Sequence, residues 1–148
     1  MSLHCSPLRG MTTEPILFFW KFSFLYIRCL MKNSYYTYML TNQNKTVIYV
    51  GMTNNLDVRI LEHYKAAIQN KKHFTSRYNC YFCVWYEAFE TPREAIDKED
   101  ALKRLSRKGK ENIIDRFNPE WKLLNQDILK KWPPDDWMLD WMARDDEE

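Results

Sequence analysis

At 148 residues the chain has room for one domain and not for two ordinary ones. Hydrophobic residues make up 45%, enough to bury a core, and a total of three glycines argues against a sandwich with many tight turns. The net charge of +2 hides a split: residues 32–131 carry 18 Lys/Arg against 12 Asp/Glu, while residues 132–148 carry one Arg against seven acids. A basic body with an acidic tail suggests a polyanionic partner for the body, although the same excess also serves solubility. Aromatics reach 16%, and such rings either fill a core or stack on bases.

The N-terminal stretch, residues 16–31, is apolar but interrupted by Lys21 and Arg28. It is shorter than the ~20 apolar residues of a membrane span and lacks the charge order of a signal peptide. We therefore expect no membrane span. Residues 1–32 read as an extension outside the fold, either upstream of the native start or a peripheral anchor. Residues 35–41, rich in Tyr and Thr, read as a strand. A turn at 42–45 leads to a β-branched partner at 46–50, closed by Gly51. Asn54 and Asn55 offer helix caps, and from Leu56 to about Asn70 an apolar stripe runs through Leu56, Ile60, Leu61, Tyr64 and Ile68.

Residues 71–79 read as a basic loop and 80–89 as a third strand. Thr91, Pro92 and Glu94 form a strong helix start, a capping box with proline at the first position. That helix turns Ala95, Ile96, Leu102 and Leu105 inward. Ser106 caps a further helix bearing Ile113, Ile114 and Phe117, which Asn118-Pro119 ends. The order is β-β-α-β-α-α. After Leu124 the composition shifts, and residues 125–148 read as an acidic Trp/Met-rich tail. In a short helix over 135–144, Trp137 and Trp141 share a face, as do Met138 and Met142. Such a helix docks either on the domain or on a protein partner.

Of four cysteines, Cys80 and Cys83 form a C-x-x-C with no second ligand pair at zinc spacing. Residues three apart on a strand point to opposite faces, so these two read as diverging core thiols. Free core cysteines fit a reducing, cytoplasmic compartment.

Three groups could carry chemistry. Glu99 lies three or four residues from Ala95, Ile96 and Leu102, within the apolar stripe of its helix. A carboxylate there is protonated, paired or metal-bound, or it reaches water at the stripe's edge beside Lys103. Arg59 and His63, four apart, share a helix face and offer a phosphate-binding fork and a proton carrier, or simply a solvated surface. Tyr36 and Tyr38 share a strand face, with Tyr49 on the partner strand; taken alone they are ordinary strand aromatics.

Together these residues form an ordered set. Tyr36-Thr37-Tyr38 precedes a turn and Tyr49-Val50-Gly51, then Met52, Thr53, Asn55 and Leu56. Arg59 through His63 follow, then Phe74, Thr75, Tyr78 and Asn79, the run from Val84 to Glu87, that from Glu94 to Glu99, and finally Phe117, Asn118, Pro119 and Trp121. This set resembles the GIY-YIG nuclease superfamily over about residues 33–124. The likeness is to its small stand-alone bacterial branch, related to the nuclease domain of an excision-repair endonuclease.

The resemblance implies an α+β fold, a small three-stranded antiparallel sheet flanked by helices, over domain 33–124. It implies that Tyr38 and Tyr49 stand at the active centre, one of them helping to deprotonate water. Arg59 would stabilise phosphate charge and His63 would move protons. Glu99 would bind one divalent metal ion, Mg2+ or Mn2+. Asn118 looks like a late family asparagine, and Gly51 and Thr53 belong to the motif backbone. The implied activity is metal-dependent endonuclease cleavage of DNA, in repair or processing. Tyr36 and Thr37 replace the motif's Gly and Ile, and Val58 and Leu105 stand where many relatives have Arg and Trp.

Two basic clusters are candidates for phosphate contact: Lys71, Lys72 and Arg77 with Phe74 and Tyr78 between them, and Arg104, Arg107 and Lys108. Solvated charge is the plain alternative for both. Two other function classes remain open from sequence: a nucleic-acid-binding module that no longer cuts, and an interaction protein working through its acidic tail.

Overall fold

The computed structural model describes residues 34–145, with side chains through residue 140. The N-terminal extension, the faces shared by Trp141 and Met142, and the last three residues lie outside the described residues.

Strand β1 (Tyr35–Thr41) runs down the middle of a three-stranded sheet of order β2-β1-β3. Covered on both faces, it is buried from Thr37 to Thr41, and its β-branched and aromatic residues suit that position. Strand β2 (Ile48–Thr53) pairs with it antiparallel, Tyr38 opposite Gly51 and Leu40 opposite Tyr49. Asn42 sets the hairpin: its side chain accepts from Thr46 N–H at 2.8 Å and donates to Thr46 Oγ1 at 2.7 Å, while Lys45 takes a positive φ of 57°. Arg107 donates to the carbonyls of Lys45 and Thr46 and ties this turn down.

Strand β3 (Phe82–Phe89) pairs antiparallel with the other side of β1. The register slips between Met39 and Leu40, so Val84 is an extra residue opposite neither. Its carbonyl is taken by Asn118 Nδ2 at 3.0 Å. Asn125, fully buried, accepts from Cys83 N–H at 2.7 Å and donates to Tyr81 O at 2.8 Å. Two asparagine side chains thus act as a partner for the outer edge of β3, which would otherwise be a free edge.

Adjacent residues of β1 point to opposite faces, and the contacts follow that alternation. On one face Thr37 Oγ1 donates to Ala95 O at 2.8 Å in helix α3 (Pro92–Arg104), and Met39 joins Val50, Val84, Trp85, Leu102 and Ile114 in the core. On the other, Tyr38 reaches His63 of helix α1 (Leu56–Ile68). The expected capping box forms: Glu94 N–H donates to Thr91 Oγ1 and Thr91 N–H to Glu94 Oε2, each at 3.3 Å. Ser106 accepts from Gly109 N–H at 3.2 Å and starts helix α4 (Arg107–Phe117).

The structure departs from the sequence reading in several places. A single turn of helix, α2 (Phe74–Arg77), occupies what reads as a basic loop, its Thr75 and Ser76 turned inward. Ile68, Ile96, Leu105 and Phe117, assigned to apolar faces by spacing, are exposed, and Phe117 is so even though its ring meets Trp85 and Tyr86 edge-on. The third strand begins at Phe82, two residues late, because the backbone at Cys80 bonds instead to Thr75 O at 2.7 Å. Cys80 and Cys83 are buried free thiols, and burial pushes their pKa values up to about 11 and about 12.

Beyond the sheet, helices α5 (Asn125–Leu129) and α6 (Asp136–Asp145) return to α1. Trp132 packs edge-on against Tyr64 at 4.9 Å and near Tyr81 and Phe82, and Met138 is buried. The tail therefore docks in cis through its aromatic and Met side chains. No helix among the described residues is long and apolar enough to cross a membrane.

Candidate active site

The turn from β2 into α1 determines where α1 begins. Thr53 Oγ1 accepts from Asn55 N–H at 3.1 Å and bonds Asn55 O at 3.2 Å. Its motif role is therefore a backbone one. From that start, Arg59 and His63 fall on the helix face toward β1. Opposite them, Tyr38 lays its ring over Gly51, where a Cβ would stand 2.5 Å from the phenol oxygen. The glycine is needed for this close approach, which carries the phenol toward the β2 edge.

Tyr38 Oη lies 3.0 Å from His63 Nε2, and Arg59 Nε donates to it at 3.3 Å. A guanidinium has no lone pair, so the phenol oxygen accepts from Arg59 and its proton goes to Nε2. Nδ1 then carries the imidazole proton and donates to Thr75 Oγ1 at 3.1 Å. Thr75 thus accepts the proton that this tautomer carries on Nδ1. Sequence reasoning assigned it no role, because it lies twelve residues along on a separate turn of helix and no periodicity links the two.

Electrostatics fixes the resting protonation. Burial raises the Tyr38 pKa well above 10, against the Arg59 hydrogen bond and charge that pull it down, so the phenol is neutral. Burial, with Arg59 adding to it, lowers His63 to about 4, so the imidazole is neutral. Burial works against the Arg59 charge, but hydrogen bonds to Glu62 and Tyr38 outweigh it and raise its pKa. Its Nη1–Glu62 contact of 2.6 Å is half-exposed on both sides and can exchange for an incoming phosphate.

Tyr49 stands against this group through its ring, 5.5 Å from His63 and 6.4 Å from Tyr38. Its hydroxyl has no hydrogen-bond partner among the described residues. Glu99 comes from the helix on the opposite face. Its side chain is 19% exposed and bonded to Lys103 Nζ at 2.7 Å, the pairing that spacing offers as an alternative. Its charge still registers at Tyr38, where it adds to the raised pKa, and the Tyr49 phenol bears on Lys103.

Asn118 is not brought to this cluster. It is buried, with Nδ2 donating to Val84 O and Lys122 O and Oδ1 accepting from Lys122 N–H, at the far edge of the sheet from Tyr49. Arg107 is committed to the hairpin turn and to Glu111 at 2.8 Å, Lys108 lies 4.0 Å from Glu111, and Arg104 is exposed. Lys71 and Lys72 just before α2 and Arg77 at its end are exposed, and Thr75 of that helix touches His63.

No group of three or more His, Cys, Asp or Glu gathers at metal-binding spacing among the described residues. The anionic donors at the site are two carboxylates, Glu99 held by Lys103 and Glu62 held by Arg59. That suits a hard divalent cation keeping several waters, and offers no nest for a soft metal.

A three-stranded antiparallel sheet between helices, with two strand tyrosines beside an arginine and a histidine four apart on one helix, has the form of a GIY-YIG catalytic domain. The family model for that domain matches residues 34–112, and the chain belongs to the GIY-YIG family, within a nuclease superfamily. It is similar to two bacterial UPF0213 proteins. One, of Bacillus licheniformis, is 33% identical over 96 residues, covering 60% of this chain and 87% of the relative. The other, of Bacillus velezensis, is 37% identical over 84 residues, covering 56% and 80%. No solved structure matches the chain.

Proposed function

We propose that this chain is a metal-dependent endonuclease that hydrolyses phosphodiester bonds in DNA, with Tyr38, Tyr49, Arg59, His63 and Glu99 as its working residues. The observation that carries this reading is the position of Tyr38 Oη, 3.0 Å from a neutral imidazole and 3.3 Å from a fixed guanidinium. A neutral phenol is a poor base alone. Between these partners it serves as a relay.

Tyr38 is fully buried at rest, so exchange of Glu62 for a phosphate at Arg59 must open its oxygen to the attacking water. As that water loses a proton to the Tyr38 oxygen, the phenol passes its own proton to His63 Nε2. The water oxygen bonds to phosphorus, the P–O bond to the leaving oxygen breaks, and that oxygen takes a proton from solvent. Arg59 stabilises the negative charge gathering on the phenol and on the phosphate. The anionic substrate offsets the burial and the Arg59 charge that keep His63 hard to protonate. Tyr49, its hydroxyl without a hydrogen-bond partner among the described residues, orients the water or a phosphate oxygen. Glu99, exchanging Lys103 for a divalent cation, would hold Mg2+ or Mn2+, which supplies charge neutralisation at the phosphate and leaving oxygen. Asn118 contributes by fixing β3 at the sheet edge away from the site. DNA processing or repair is the setting of this reading, and the free core thiols Cys80 and Cys83 favour a reducing, cytoplasmic compartment.

The test is cleavage of labelled single-stranded, duplex and branched DNA with and without Mg2+ or Mn2+, parent against Glu99→Ala. Cleavage that needs the metal and is lost in the variant supports the reading. Equal cleavage by both contradicts the metal site. Salt-sensitive binding with no cleavage of any substrate would leave a binding module on the same fold.

A further inference from the structure

Helix α2 and the residue that caps its end turn two rings outward that a core would be expected to claim. Phe74 is 52% and Tyr78 is 42% exposed, while their neighbours Thr75 and Ser76 are buried. The rings are ordered into a row. The Phe74 ring stacks on Tyr49 with centroids 6.4 Å apart and planes 29° from parallel. Tyr78 adjoins Phe74 at 4.8 Å, and the Arg77 guanidinium lies 5.9 Å over Tyr78. Tyr49 in turn meets His63 at 5.5 Å. One end of the row is therefore the candidate catalytic group and the other is open surface. Lys71 and Lys72 stand beside it, exposed and with no carboxylate within ion-pair distance among the described residues. Among the described residues neither tail nor body covers it: the aromatic contacts of Trp132 in the tail fall on Tyr64, Tyr81 and Phe82 instead.

From this geometry we propose that Phe74 and Tyr78 form a stacking subsite for an unpaired nucleobase of the strand whose phosphate lies at Tyr38 and Arg59. The proposal rests on the nuclease reading above and adds a requirement to it. A flat aromatic surface accepts any base face, but only a base outside a duplex can present one. The flanking cations hold the phosphates on either side without reading sequence. Continuity with Tyr49 puts the stacked base next to the reacting phosphate, so the subsite selects a frayed, looped or single-stranded position rather than an intact duplex step.

The test is binding of fluorescently labelled oligothymidine and of the same-length oligomer with abasic spacers, which has equal charge and no bases. The full chain is used at fixed salt, with calcium in place of magnesium. The parent is expected to prefer oligothymidine by about 10- to 100-fold, the range stacking of one base supports. Phe74→Ala with Tyr78→Ala loses that preference and still binds the abasic oligomer as the parent does, while Phe74→Tyr retains it. Tyr78→Ala alone, at the more peripheral ring, gives a partial loss and serves if the double variant does not fold. Three results overturn the proposal: equal binding of both oligomers by the parent, equal loss of both in the variants, or self-association of the parent that Phe74→Ala abolishes with no base preference. A base preference in a protein that cuts nothing with Mg2+ or Mn2+ would overturn the nuclease reading and leave the subsite standing. Cleavage without base preference would do the reverse.

Discussion

Gly51→Ala is expected to damage the site out of proportion to the single methyl it adds. The new Cβ would lie 2.5 Å from the Tyr38 oxygen, 2.6 Å from Cζ and 3.1 Å from Cε2. Ordinary contact between such atoms is about 3.5–4.0 Å, so the ring must retreat by roughly 1 Å. It has no slack: Tyr38 is fully buried, and its oxygen is held at 3.0 Å and 3.3 Å by His63 and Arg59. Overpacking costs about 1–3 kcal/mol and each broken hydrogen bond about 1 kcal/mol, so a loss of about 2–4 kcal/mol is expected. A misplacement of that size costs about 100-fold in rate. Urea denaturation and single-turnover cleavage read the two effects. The cause is isolated by repeating the denaturation in Tyr38→Ala, where the ring is gone and the alanine should cost less than about 1 kcal/mol. An equal cost in both backgrounds, or none in either, would refute the close approach.

Other expectations follow from the same contacts. His63 titrates at about 4 in the folded chain against an ordinary 6.5, so the unfolded chain binds more protons between those values and stability falls as pH drops through that window. The gap is worth about 3 kcal/mol, and comparing urea midpoints of the parent and His63→Gln from pH 7.5 to 4 should show the parent losing about that much more. Thr75→Val leaves Nδ1–H without its acceptor; it should cost about 1–3 kcal/mol and slow cleavage at least tenfold, with Thr75→Ser restoring both, and an unchanged rate would remove Thr75 from the site. Asn125→Ala orphans the buried Cys83 N–H on β3 and the part-buried Tyr81 carbonyl just before it, and should lose about 2–4 kcal/mol by urea denaturation. Asn118→Ala should lose a similar amount while changing the cleavage rate of the folded protein by less than about threefold, since its amide bonds backbone alone.

Much of the scaffold was legible because local rules dictate it. The capping box at Thr91 and Glu94 and the Tyr/Thr strand at 35–41 are written in neighbouring residues, and both form. The helical spacing of Arg59 and His63 likewise puts both on Tyr38. What spacing could not supply was the partner across space. Thr75 reaches His63 through a separate turn, and Asn125 pairs with a strand 42 residues away. Ile96 and Phe117 obey the helical period and are nevertheless exposed, since a stripe says which face a residue shares and not how far the opposing surface extends. Asn118 fits a catalytic motif by order along the chain, yet its amide serves the edge of β3.

The central claim is that Tyr38 and His63 act as one proton relay. Its most direct test is the single-turnover cleavage rate of Tyr38→Phe, His63→Gln and the double variant, with substrate saturating and Mn2+ present. Each single change should slow cleavage by about 100- to 10,000-fold, and the double should be no slower than the worse single, because either change already breaks the relay. Losses that multiply in the double variant, or a parental rate in Tyr38→Phe, would contradict it.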